Sequence, residues 1–133
     1  MRLKHPFQPD NSLGTVWLRN CGLGTSAATF QFFEYKGKKL GHLLDPRKGW
    51  PASGTACASA IAATAAEADA ISTAAFVMGA KRTEELVRLK PSLGAVILKD
   101  RGDDGADLNL SLGELKAFNL APDTYTPPAQ SKN

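Results

Sequence analysis

Apolar and polar residues alternate along several short segments in the first part of the chain, which is the spacing of strands that bury one face. Residues 13–24 alternate in this way and predict one strand. Residues 27–35 are rich in β-forming side chains, and the Lys-Gly-Lys sequence at 36–38 is typical of a turn. Residues 39–44 then predict a returning strand, so this part of the chain is expected to form a β-hairpin.

The pattern changes after the hairpin. Residues 45–54 contain two prolines and two glycines and predict a loop without regular structure. Residues 55–64 are mostly small, and small residues suit a helix and a buried strand about equally well. The alternation of Cys57, Ser59 and Ile61 favours a strand that is closely packed beneath a helix.

Two helices are expected next. Thr64 and Glu67 have the spacing of a capping box, in which the hydroxyl and the carboxylate satisfy backbone N–H groups at the start of a helix. Alanine-rich sequence continues this helix to Met78, and Gly79 is a natural stop. A second helix fits residues 83–90 and ends before a proline.

The remainder predicts a buried strand at 94–100, a short edge strand at 107–112, a turn or short helix at 113–120 and a disordered tail at 121–133. The element order has too many neighbouring strands for a doubly wound parallel sheet. We therefore expect the α+β class, with a mixed or antiparallel sheet and two packed helices. The folded domain is expected to span residues 1–120.

Composition narrows the function classes. The chain has 133 residues, a hydrophobic content of 43% and a net charge of +3, which suit one globular domain. Basic residues cluster at 36–48 and 81–90, a pattern compatible with a small anionic ligand. Nucleic-acid binding is not expected, because it usually needs a denser basic patch among aromatic residues.

Cysteine spacing and hydropathy argue against three further classes. Cys21 and Cys57 are far apart and have no CxxC spacing, so a zinc site is not expected. No segment approaches the about 18 consecutive apolar residues of a membrane-spanning helix. The first residues have no apolar core of a secretory signal, and the sequence leaves the cellular compartment open.

Asp69 and Thr73 are the first candidates for chemistry, because a spacing of four places both on one face of the expected helix. In a purely structural role, the aspartate favours the helix dipole and the threonine bonds back to the preceding turn. Alternatively, the two oxygens are hard ligands that suit Mg²⁺. Ala66, Ala70 and Ala74 are small enough to let a ligand approach this face.

His42 and the polar residues that follow it form the second candidate group. His42 is either a half-buried strand residue with a backbone partner, or a proton-transfer group or ligand contact at a strand end. Asp45 precedes a proline and suits a turn, while Arg47 and Lys48 offer cationic donors for a phosphate. The chain has no GxxxxGK[ST], GxGxxG or GxSxG motif, so a common phosphate loop and hydrolase chemistry are poorly supported.

Together, these segments resemble the ApbE family of flavin transferases. HLLDPRKGWP at 42–51 is similar to the family's H-I-I-D-P-R-T-G-x-P, and EADAISTAAFVMG at 67–79 is similar to its A-D-A-x-x-T-A-x-F-V-x-G. Residues 24–42 also resemble a T-S-G, strand, G-K-R-x-x-H run. The resemblance covers roughly residues 13–98, and both motifs occur in the family's order.

The resemblance implies an α+β fold and FAD and Mg²⁺ as ligands. Many family members transfer FMN from FAD to a threonine hydroxyl of a target flavoprotein and release AMP, whereas others only bind or hydrolyse FAD. It also implies metal-ligand roles for Asp69 and Thr73 and an active-site role for His42.

In the same resemblance, Asp45 and Arg47 match the structural turn of the motif, and the residues expected to bind the cofactor are His42, Asp45, Arg47 and Lys48. Lys48 belongs to this cofactor-binding set but replaces the family's threonine, and Ala27 replaces the glycine of T-S-G.

The matched segments correspond to the C-terminal part of family members, so part of the family's FAD site is expected to lie outside this sequence. The resemblance leaves two alternatives for the function of this chain. It is either a flavin transferase domain or a truncated flavin- or metal-binding module without turnover. Apolar sheet surface left uncovered would favour association into a homodimer.

Overall fold

A computed structural model describes residues 1–8, 10–28 and 31–100 and the backbone of one later strand. These described residues form short antiparallel strands and two consecutive helices. The elements in chain order are β1 (Arg2–Lys4), β2 (Ser12–Thr15), β3 (Gly22–Ala27), β4 (Phe32–Tyr35), β5 (Lys38–Gly41), β6 (Leu44–Asp45), β7 (Trp50–Pro51), β8 (Thr55–Ala62), α1 (Ala65–Met78), α2 (Ala80–Leu89), β9 (Gly94–Asp100) and β10 (Ala106–Ser111).

The largest sheet has the strand order β10-β9-β8-β3, and each neighbouring pair is antiparallel. Strand β8 lies inside this sheet and is buried along its whole length, which explains why its residues are so small and apolar. The expected strands at 55–64 and 94–100 are confirmed, and β10 is the expected edge strand. The α+β class is therefore confirmed.

The two faces of this sheet are covered differently. On one face, Ala58 and Ile97 pack against Phe76 of α1. On the other face, the β1–β2 hairpin contributes Leu3 and Leu13 to the core. Small residues on the helix side let the helix lie close to the strands, as expected from the alternation in β8.

The expected single strand at 13–24 is wrong, because this segment forms two strands in different sheets. Strand β2 pairs with β1, and β3 pairs with β8. Between them, Asn20 has a φ of 53°, a left-handed conformation that a continuous strand does not contain. The alternation continued across the break and hid it.

The hairpin expected at 27–44 is confirmed as β4 and β5 but is shorter than expected, because Ala27 ends β3 instead of beginning β4. Lys36 and Gly37 both have positive φ, as a two-residue type I′ turn requires. The loop expected at 45–54 is partly wrong, since β6 and β7 pair within it.

Helix α1 starts as expected: the Glu67 N–H donates to Thr64 Oγ1 at 3.1 Å. Helix α2 begins at Ala80, three residues before its expected start, because the chain turns at Gly79 and continues directly into a new helix. Thr83 lies inside α2 and its hydroxyl donates to the Gly79 carbonyl at 2.8 Å.

Several expectations fall outside the described residues, namely the turn or short helix at 113–120, the tail at 121–133 and the end of the domain at 120. Within the described ranges, neither helix has both the length and the apolar character that crossing a membrane would require.

Candidate functional site

The turn between β6 and β7 is organised by one buried carboxylate. Asp45 is 3% exposed, and its two oxygens accept from the Arg47 side chain at 2.8 Å (Nε) and 2.7 Å (Nη2). The Arg47 backbone N–H also donates to this carboxylate at 3.0 Å. The Asp45 carbonyl accepts from the N–H groups of Lys48 and Gly49, which closes the turn.

These contacts set the charge state of the turn. The side-chain hydrogen bonds from Arg47 lower the pKa of Asp45 to about 2, although burial acts in the opposite direction. The same contact raises the pKa of Arg47 above its ordinary value. Asp45 is therefore a carboxylate and Arg47 a cation at neutral pH, in a two-point charge-assisted pair.

Arg47 also joins this turn to α1. Its Nη2 donates to the Val77 carbonyl at 3.2 Å, near the C-terminal end of the helix. Nη2 thus uses both of its N–H groups and Nε uses its one, whereas Nη1 has no hydrogen-bond partner among the described residues. The guanidinium is fixed from two sides and retains donors for a further acceptor.

His42 lies at the base of the β4–β5 hairpin and is exposed. Its backbone N–H and its Nδ1 both face the Gln31 carbonyl, at 3.2 and 3.1 Å. Because a carbonyl only accepts, Nδ1 carries the proton and Nε2 is the basic nitrogen of the neutral ring. The backbone partner expected for a structural histidine is therefore present, and it also leaves Nε2 available for proton transfer.

Hydroxyl groups cluster where α1 meets β3. Ser26 Oγ lies 3.0 Å from both Ser72 Oγ and Thr73 Oγ1. The hydroxyls of Ser72 and Thr73 also donate to the Asp69 carbonyl, at 2.9 and 3.3 Å. The threonine thus makes the back-bond expected from its structural role, and the cluster fixes the direction of its hydroxyl.

Glycines in β3 allow this contact. A Cβ added at Gly24 would lie 2.6 Å from the Ala68 carbonyl group and 2.7 Å from Asp69 Cα. A Cβ added at Gly22 would lie 2.5 Å from backbone atoms of Thr64 and Ala65. Any side chain at these positions would push α1 away from the sheet and displace Asp69.

A cavity of about 560 Å³ lies between the β6–β7 turn and α1. Arg47 of the turn and Thr73 of α1 both line it, and Ala70 and Ala74 form part of its helix wall, as their small size predicted. Arg82 of α2 adds a second cation. The structure thus brings Arg47 and Thr73 to one cavity, whereas His42, Asp45, Lys48 and Asp69 do not line it.

Asp69 and Thr73 fit a hard divalent cation as two of its ligands. The Asp69 carboxylate is exposed and forms no ion pair with the described residues. The Thr73 oxygen has two lone pairs, and Ser26 can occupy only one of them. No cluster of three His, Cys, Asp or Glu side chains suited to a metal occurs in the described part of the chain.

Sequence reasoning missed Ser26, Gly24 and Arg82. Ser26 belongs to a Thr-Ser pair in β3 whose alternation gives no sign of a partner on α1. Gly24 could have been noticed, since a glycine inside a strand often marks close backbone approach. Arg82 belongs to the basic cluster noted at 81–90, but the expected start of α2 at residue 83 gave no reason to place it at this cavity.

The structure is an α+β domain in which an alanine-rich helix and the turn that carries Arg47 line one cavity. The model of the ApbE family matches residues 1–97. The chain belongs to the ApbE family.

Several similar proteins are named either FAD:protein FMN transferase or ApbE protein. The FAD:protein FMN transferase of Escherichia coli K12 is 31% identical over 76% of this chain and 29% of its own length. The FAD:protein FMN transferase of Treponema pallidum is 36% identical over 62% of this chain and 23% of its own length. The crystal structure of the ApbE protein of Thermotoga maritima superposes with a TM-score of 0.71 and 28% identity, over 84% of this chain and 35% of that chain. The sequence therefore spans about a third or less of these relatives.

Proposed function

We propose that this chain is a flavin transferase domain that supports Mg²⁺-dependent transfer of FMN from FAD to a threonine hydroxyl of a target flavoprotein, with release of AMP. The observation that carries this proposal is the cavity that Arg47 and Thr73 both line, with Asp69 one helical turn before Thr73. The names of the curated relatives, each an FAD:protein FMN transferase, supply the chemical class of donor and acceptor.

In this proposal the pyrophosphate of FAD lies between the β6–β7 turn and α1. Arg47 donates to a phosphate oxygen through Nη1, because its other N–H groups already hold Asp45 and Val77. Lys48 is exposed on the same turn and adds positive charge. Asp45 does not contact the phosphate in this arrangement; it holds the turn in shape.

Asp69 and Thr73 hold Mg²⁺ in this proposal. The ion, when bound, neutralises charge on the pyrophosphate and serves as a template for the reacting groups. The hydroxyl of Ser26 supports the metal assignment because it fixes the orientation of Thr73 Oγ1.

The transfer is a displacement at phosphorus. The acceptor threonine oxygen forms a bond to the FMN phosphorus, the bond from that phosphorus to the bridging oxygen breaks, and AMP leaves with that oxygen. The proton of the acceptor hydroxyl has to be removed. His42 is the candidate acceptor for it through Nε2, since Nδ1 is engaged with Gln31.

One experiment tests the metal and transfer assignments together. The chain is incubated with FAD, MgCl₂ and the acceptor domain of a protein that carries FMN on threonine; covalent flavin is read by in-gel fluorescence and AMP by chromatography. We expect Asp69→Asn to lose both products and to weaken Mn²⁺ binding measured by electron paramagnetic resonance. Glu85→Gln, an exposed carboxylate on α2, is the matched control and should retain both. Transfer and Mn²⁺ binding that survive Asp69→Asn would contradict the metal assignment.

A flavin- or metal-binding module without turnover is the second candidate, because His42, the proposed proton acceptor, does not line the cavity that Arg47 and Thr73 share. Titration of FAD into the protein separates the two. Binding of FAD without covalent flavin or AMP, while a full-length relative is active in parallel, would favour the module.

A further inference from the structure

The β4–β5 hairpin has a face that the rest of the described chain leaves open. Its registered pairs are Phe33 with Leu40 and Tyr35 with Lys38, which places these four side chains, here called the hairpin face, on one side. Phe33 is 53% and Tyr35 51% exposed. The opposite side carries Phe32 and Lys39, and these line a cavity with residues of the body of the domain, so the two sides have different surroundings.

The hairpin is also strongly basic. Lys36, Lys38 and Lys39 stand against a single carboxylate, Glu34, and none of the three lysines forms an ion pair with the described residues. The Lys36 ammonium lies 5.3 Å from the centre of the Tyr35 ring. Aromatic surface beside cations is complementary to a partner segment that combines apolar side chains with carboxylates.

Hydrogen bonds join the base of the hairpin to His42. The Gln31 carbonyl, immediately before β4, binds both the backbone N–H and Nδ1 of His42, immediately after β5. The positive φ angles of Lys36 and Gly37 give the tip a type I′ turn that follows the strand twist. A segment bound along the hairpin would therefore be linked to His42 through the base of the hairpin.

We infer that the hairpin face is the docking surface for the acceptor protein, through an acidic and partly apolar segment near the threonine that is modified. This inference rests on the function proposed above, because it assigns the second substrate of that reaction. A membrane surface fits less well, since stable attachment needs a larger apolar face than two half-exposed rings.

The test is direct binding of the acceptor domain, purified without flavin and labelled for fluorescence anisotropy. Reversal of two hairpin charges in Lys36→Glu/Lys38→Glu should raise the dissociation constant about tenfold and reduce its dependence on salt. Lys4→Glu/Lys81→Glu makes the same change of net charge elsewhere and should alter the constant less than about twofold. Tyr35→Ser, which changes no charge, should also weaken binding, and circular dichroism checks that each variant is folded.

Equal dissociation constants for the hairpin and control variants would overturn the inference, as would binding to phosphatidylserine vesicles in place of the acceptor domain. The two proposals fail separately. If the acceptor domain binds through the hairpin but receives no flavin, the proposed function fails and the docking surface stands. If flavin is transferred while the hairpin variants bind normally, only the docking surface fails.

Discussion

At the scale of single residues, the turn that follows His42 is set by the pair of Asp45 and Arg47. Three hydrogen bonds from Arg47 converge on a buried carboxylate, and a fourth reaches the helix. Asp45 was expected to shape a turn, but its partner could not be inferred from the sequence, because Lys48 is an equally basic neighbour. The contact with Val77 depends on how α1 lies in the fold, which no local pattern contains.

The pair makes stability depend on pH. The folded pKa of Asp45 is about 2, below its ordinary 3.8, so the contribution of the pair is present above about pH 4 and is lost as the pH falls towards 2. We expect Asp45→Asn to unfold at a lower urea concentration than the native sequence at pH 7, with the difference vanishing near pH 2. Asp10→Asn, at an exposed carboxylate, should have little effect. A urea midpoint difference that persists unchanged to pH 2 would contradict this assignment.

At the scale of elements, the contact between β3 and α1 determines where the candidate metal ligands lie. The helix itself was predictable from its capping box and alanine content, and so was the choice of β8 as a strand beneath it. The start of β3 could not be predicted, because the alternation of apolar and polar residues at 13–24 continues where the chain passes from one sheet to another. Likewise, β6 and β7 are flanked by Leu43 and Ala52, which pack onto the body of the domain, and no local pattern in the sequence contains this tertiary contact.

Gly24→Ala tests the close approach of strand and helix. The added methyl group would meet backbone atoms of Ala68 and Asp69 at 2.6–2.7 Å, so α1 has to move. We expect the free energy of unfolding to fall by about 1–3 kcal/mol, as in other overpacked sites, and Mn²⁺ binding to weaken.

Gly37→Ala provides the comparison for this prediction. Nothing lies within 4 Å of a Cβ at Gly37, although its φ is +72°. We therefore expect Gly37→Ala to lower the free energy of unfolding by about 1 kcal/mol, through backbone strain alone. Mn²⁺ binding should not change. If both variants affect Mn²⁺ binding equally, the strand–helix contact does not position Asp69.

At the scale of the whole molecule, the described chain has a core on both faces of one antiparallel sheet, with helices on one side and the β1–β2 hairpin on the other. The α+β class followed from the order of elements alone. The cavity could not be predicted from that order, because it is lined by residues 47 and 73, which belong to a turn and a helix that are remote in sequence. Formation of a homodimer stays a prediction, which light scattering over a range of concentrations can test.

Cysteine labelling reports on the integrity of this core. Burial raises the pKa of Cys57 to about 11, so its thiol is protonated near neutral pH, whereas Cys21 is partly exposed. We expect a thiol reagent at pH 8 to label Cys21 first and Cys57 only as fast as the protein opens. In a Cys21→Ser variant, the labelling of Cys57 should accelerate with urea in parallel with unfolding; rapid labelling without urea would show that the core is open.

The position of Arg47 has a consequence for the thermodynamics of ligand binding. A free arginine side chain loses about 2 kcal/mol of rotamer entropy when it becomes ordered. Here Asp45 and Val77 have already ordered it, so an anion that meets Nη1 binds to a donor whose conformational freedom was lost during folding. Lys48, on the same turn but without a hydrogen bond from its side chain to the described residues, would lose its freedom only on binding. Of two neighbouring cations, one is preorganised and the other is adaptable.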